Sequence, residues 1–69
     1  MHFYETISIN TFMEFLYKIE EFKIKGYHLT DTNADKHIVF DGKNTVECLA
    51  SVSVTLTKGT ATYTLICTI

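Results

Sequence analysis

The chain contains no arginine, glutamine, proline or tryptophan, and only two cysteines and three glycines. Without arginine it has no planar bidentate fork for guanine or phosphate, and its six lysines form no basic cluster, so no direct nucleic-acid partner is expected. Cys48 and Cys67 are too few for a disulfide scaffold, which fits a reducing compartment. No apolar run approaches the roughly 20 residues a membrane-spanning helix needs. The opening Met1 to Glu5 lacks the basic and apolar segments of a secretory signal. A cytoplasmic location without a membrane partner is therefore expected. Nucleophile-elbow, P-loop and dinucleotide fingerprints are absent as well. The missing residue types, beside abundant Lys, Ile, Thr, Asn, Phe and Tyr, match the usage of an AT-rich genome, that of a low-GC bacterium or its phages.

What is present is the composition of an ordinary globular protein: 46% apolar, 13% aromatic and a net charge of −2 over 69 residues. A chain this short buries only about 60% of the surface its unfolded form exposes, so one domain spanning 1–69 is expected, with little room for an enclosed active site.

Residues 3–9 alternate Phe3, Glu5, Ile7 and Ile9 with Tyr4, Thr6 and Ser8, a half-buried strand. Thr11 and Glu14 match a capping box. From there Phe12, Phe15, Leu16, Ile19 and Phe22 recur at helical spacing as a core-facing stripe. On the far side, Glu14 with Lys18 and Glu21 with Lys25 are favourable pairs four residues apart, and Gly26 supplies a left-handed stop. Tyr27–Thr30 reads as a short strand, 31–36 as a polar turn, His37–Phe40 as a second short strand, and 41–44 as another turn before a long strand over 45–57. With Lys58-Gly59 as a two-residue loop, Leu56, Val54, Val52 and Ala50 face Ala61, Tyr63, Leu65 and Cys67. The opposite face is then rich in hydroxyls, with Leu49 and Ile66 at one end.

These elements predict an α+β fold of order β-α-β-β-β-β, one N-terminal amphipathic helix packed on a four- to five-stranded, mostly antiparallel sheet. The arrangement is similar to the cystatin-like one, with no cystatin inhibitory motif.

No nucleophilic triad is apparent, and Glu20 and Glu21 project about 100° apart on the helix, so no enzymatic activity is expected. The chemical alternative is zinc. In the predicted hairpin register Cys48 and Cys67 are diagonal neighbours, and a four-residue 41–44 loop sets His37 opposite Cys48, giving three ligands toward a tetrahedral site. Buried cysteines of purely structural role are the plainer account, and no cofactor is the primary expectation.

An apolar last strand ending in Leu65-Ile66-Cys67-Thr68-Ile69 is a pairing hazard if it lies at a sheet edge. Leu49, Ile66, Thr68 and Ile69 are accordingly the predicted interface of a homodimer, unless the 3–9 strand covers that edge within the molecule. The turn acids Asp31, Asp35 and Asp41 are further candidate contacts, for a basic partner protein. Tyr17, Met13 and Ile24 flank the helix stripe as a second candidate surface.

A compact, acidic, non-catalytic domain with this residue usage resembles the small inhibitors that phages encode against host proteins, including anti-CRISPR proteins that bind a defence nuclease and block its DNA loading. The resemblance is one of size, composition and architecture and rests on no motif. It implies a protein-binding inhibitor acting in the host cytoplasm. The alternatives are a zinc-stabilised domain and a structural subunit that homo-oligomerises.

Overall fold

A computed structural model describes residues 2–69 as β1 (Phe3–Ile9), α1 (Phe12–Ile24), β2 (His28–Asp41), β3 (Asn44–Lys58) and β4 (Ala61–Thr68). The α+β class and the mostly antiparallel sheet are as expected. The sheet has four strands in the order β1-β4-β3-β2, with β1 parallel to β4 and the other neighbours antiparallel. Both edge strands run parallel to β4, so α1 carries the chain from one edge to the other across the two central strands.

The element order is β-α-β-β-β, because the two short strands expected over 27–40 are a single strand. Asp31 to Lys36 pair with β3 instead of turning. Turn preference is weak against a long β-branched partner strand, and one side of an edge strand stays solvated, which suits Asp, Asn and Lys. Two compensating bulges make the pairing possible. Leu29 pairs with Leu56 and Asp31 with Thr55, which leaves Thr30 unmatched on β2. Asp35 pairs with Ser51 and Lys36 with Leu49, which leaves Ala50 unmatched on β3. The Thr30 hydroxyl is held 3.3 Å from the Thr55 carbonyl oxygen, to which it donates.

The Thr11 side chain caps α1, accepting from the Glu14 N–H at 3.2 Å. At the other end Gly26 (φ +96°) donates to the Lys23 carbonyl and Tyr27 to the Phe22 carbonyl, each at 3.0 Å. This is a Schellman motif, completed by the edge-on packing of Tyr27 against Phe22 with centroids 5.0 Å apart. The exposed helix ion pairs form three residues apart rather than four: Lys18 with Glu21 at 3.2 Å and Lys23 with Glu20 at 4.0 Å.

The β3–β4 loop is Gly59-Thr60, with Lys58 paired to Ala61, two places from the expected register. Gly59 takes φ +60°, and the expected loop would have asked Lys58 to adopt that left-handed backbone. A two-residue slip preserves the faces, so Val54 meets Leu65, Leu56 meets Tyr63 and Val52 meets Cys67.

The core comprises Ile9, Phe15, Val54, Leu56, Leu65 and Cys67, with Ile7, Ile19, Phe22, Tyr27 and Val52 packed around it. Of the expected helix stripe, Phe15 is 2% exposed but Phe12 is 53% exposed, and Leu16 is also exposed. The helix contributes a narrower strip than its sequence pattern implies. All of this core lies toward one end of a body measuring 51 × 24 × 15 Å. The radius of gyration is 14.8 Å, against about 11 Å for a compact domain of this length.

Candidate functional site

The elongation comes from β2 and β3. The last β3–β4 pair is Ser51 with Thr68, followed by one hydrogen bond of 2.9 Å from the Ile69 N–H to the Ala50 carbonyl. Beyond that point, residues 36–49 are a two-stranded ribbon closed by the Gly42-Lys43 loop, in which Gly42 takes φ +66°. Across one face His37 lies opposite Cys48 and Val39 opposite Val46. Across the other, Lys36, Ile38 and Phe40 lie opposite Leu49, Glu47 and Thr45. Lys36 and Glu47 are joined by an exposed ion pair at 4.0 Å.

No helix covers either face here. Phe40 is 80% and Ile38 65% exposed, and Val39 and Val46 are also exposed. Ile38, Val39 and Phe40 lie on β2, whose outer backbone edge is unpaired along its whole length among the described residues, and Val46 lies across from Val39 on β3. Isolated two-stranded ribbons are marginal in water, and a long, flat, apolar edge is the form of sheet that recruits another strand.

The structure distributes the predicted site residues differently from the expectation. β4 is not an edge: β1 pairs with it along 61–67 on one side and β3 along 61–68 on the other, so the last strand is not a free pairing surface. The cause is apolar matching, since this order sets Ile7 beside Leu65 and Ile9 beside Cys67 beneath α1. Ile66 is half-buried on the open sheet face between Ser8 and Ser53, while Thr68 and Ile69 are exposed at the strand end. Leu49 belongs to the ribbon.

Asp31 and Asp35 are strand residues rather than turn residues. The Asp31 carboxylate accepts from the Thr32 N–H at 3.0 Å, and the Ser51 hydroxyl donates to Asp35 at 3.4 Å. Asp41 flanks the ribbon loop, opposite Asn44.

His37 and Cys48 do come together, as the zinc alternative requires. Cys67, however, is buried opposite Val52, four residues from Cys48, about 13 Å along an extended strand, so the diagonal thiol pair does not form. Among the described residues no group of three or more His, Cys, Asp or Glu side chains is placed to hold a metal ion.

Three other features complete the surface. Tyr63 packs against Phe22, Tyr27 and Phe3 with centroids 4.8, 5.5 and 5.6 Å away. Burial first, then Tyr27 and Glu5, raises the pKa of its hydroxyl above the ordinary phenol value. The open sheet face carries Thr6, Ser8, Ser53, Thr55, Thr62 and Thr64, the hydroxyl-rich surface expected. A shallow, open depression on α1 is lined by Met13, Leu16, Tyr17 and Glu20. Among the described residues no polar or charged side chain is buried, and no helix is long and apolar enough to cross a membrane.

The ribbon residues Ile38, Val39, Phe40 and Val46 were not among the predicted sites. The signal was present: alternating strand character at 37–40 leading into Asp41-Gly42, a strong hairpin mark. The polar segment before it concealed the continuity of β2. Comparison with family models, with curated proteins and with solved structures finds no match to this chain.

Proposed function

We propose that this protein is a non-catalytic protein-binding module that engages its partner through the β2 edge of the ribbon. One observation carries the reading: Ile38 and Phe40 are exposed beside an unpaired backbone edge on a ribbon with no core of its own. Strand addition there supplies main-chain hydrogen bonds, and the alternating side chains supply specificity. The accessible surface of 5243 Å² supports the same reading, since a compact 7.9 kDa monomer is expected to expose about 4,400 Å².

The resemblance to phage inhibitors in size and composition makes the blocking of a host defence protein, in the manner of anti-CRISPR proteins, the activity we assign to this binding. The test is capture from a low-GC bacterial lysate on immobilised wild-type chain and on a Phe40→Lys variant. A stoichiometric nuclease, polymerase or defence protein held by the wild type and lost by the variant is the expected result. Equal recovery on both removes the ribbon from the binding role, and recovery of no such protein counts against inhibition.

A further inference from the structure

We infer that the ribbon pairs with β2 of a second copy of this chain, antiparallel, about a twofold axis through Val39. The inference rests on the ribbon being the binding element and names its occupant.

Symmetry restricts the choice of register. Two adjacent antiparallel strands related by a twofold have that axis perpendicular to the sheet, so each residue pairs with one on the same face. Because the faces alternate along a strand, the axis must pass through a residue and not between two. Centring on Lys36 or Asp35 sets like charges directly against each other. Centring on Ile38 opposes Asp35 to Asp41 of the second copy and Phe40 to its Lys36. With His37 at the centre, Asp35 faces Val39 and Lys36 faces Ile38. Placing the axis on Phe40 opposes Val39 to Asp41.

Of these ribbon centres, Val39 alone satisfies both charge and apolar matching. Val39 then meets its own copy, and Ile38 meets Phe40 twice. His37 faces Asp41, the last residue of β2 before the loop, twice. Within one chain that pair does not exist, since His37 and Asp41 lie four residues apart along the same strand.

The backbone agrees with this register. In a two-residue hairpin the flanking pair, here Asp41 and Asn44, exchanges both hydrogen bonds, and the pattern alternates along the strand. The N–H and C=O of Phe40 and Ile38 therefore point away from β3. These are the two residues that pair across the axis, so their four groups on each chain all find partners. Each two-stranded ribbon becomes half of a four-stranded sheet, past the three strands at which a sheet with an apolar face gains independent stability.

Sedimentation velocity and native mass spectrometry over a concentration series test the pairing. The wild type should dimerise. Val39→Lys sets two ammonium groups side by side and should weaken the dimer by about 100-fold. His37→Asp sets a carboxylate against Asp41 of the second copy and should weaken it by up to roughly tenfold, and adding Asp41→His should restore it, which only this register predicts.

Crosslinking gives an independent readout. Val39→Cys with Cys48→Ala places two thiols on residues whose Cα atoms lie about 4.5 Å apart, within disulfide range, and mild oxidation should give a covalent dimer. His37→Cys in the same background should not crosslink, because its copy lies four residues along, about 13 Å away.

Equal crosslinking at both positions, or charge exchanges that fail to compensate, overturns the register. A wild type that stays monomeric at millimolar loading overturns the self-pairing. If that monomer still captures a host protein through Phe40, the binding reading survives alone; if it captures nothing, both fail.

Discussion

The Lys58 ammonium donates a 2.7 Å hydrogen bond to the carbonyl oxygen of Lys25, joining the end of β3 to the last turn of α1. Lys25 is the C-cap of the helix, so the cation sits at the negative end of the helix dipole. The same Nζ stands 5.8 Å over the Tyr27 ring, and the Lys58 stem passes 3.5 Å from where a Cβ on Gly26 would lie. Lys58→Met keeps the stem and removes the charge. It should cost about 1 kcal/mol of unfolding free energy at low ionic strength, and less in high salt, since the contact is exposed and screened. Urea unfolding of the two proteins decides it, and a difference no greater than the error at low salt sinks the proposed role.

Phe12 and Phe15 carry the same side chain on one helix, yet 53% of the first and 2% of the second is exposed. Phe15→Ala should cost about 3–5 kcal/mol by emptying a core site, a loss that rivals the whole stability of a domain this small, roughly 3–10 kcal/mol. Phe12→Ala should cost less than about 1 kcal/mol, mostly from a ring contact with Phe15 at 6.0 Å. Thermal unfolding followed by circular dichroism separates them. If both substitutions lower the midpoint equally, the helix is rotated relative to the sheet.

The sequence made the period of each element readable but not its pairing. β1, the Thr11 cap and the Gly26 stop are local signals, set by neighbours within five residues, and each forms where expected. The faces of the β3–β4 hairpin were readable because a two-residue slip leaves them unchanged. Its register was not, since apolar matching is nearly as good in both alignments and the left-handed backbone at Gly59 decides between them. β2 was misread because Asp31 to Lys36 has turn composition, and only the bulges at Thr30 and Ala50 let it pair. Bulges carry no composition signature. That one error hid the ribbon, and with it Ile38 and Phe40. Burial of β4 depends on pairing with β1 across more than fifty residues of chain, which no local pattern encodes.

Tyr63 gives the stability an alkaline dependence. Its hydroxyl is held above the ordinary phenol pKa by burial first, then by Tyr27 and Glu5. The folded state therefore keeps the Tyr63 proton after the unfolded chain has lost it. Its contribution is fully present below the unfolded value of about 10 and is lost as pH rises through the folded value. Phenolate absorbance should contain a late alkaline step from Tyr63. In Tyr63→Phe the late step should vanish and the alkaline fall in stability should flatten. A phenolate titration whose late limb is unchanged in Tyr63→Phe would remove this account.

Hydrogen exchange should divide the molecule into two parts. Amides of Leu56 and Leu65 lie in strands with paired neighbours on both sides and a covering helix, so they should exchange only through global unfolding. Those of His37 and Val39 are bonded to β3 alone in a ribbon without a core, and they should exchange through local opening, orders of magnitude faster. Ile38 and Phe40 distinguish a flexible ribbon from a paired one. Their N–H groups point to the free edge, so in dilute solution they should be unprotected whatever the ribbon does internally. Protection that appears there as concentration rises, and is absent in Val39→Lys, requires a strand docked on that edge. Protection already present at infinite dilution would mean the β2 edge is covered within one chain, and the ribbon would then not be open to a partner.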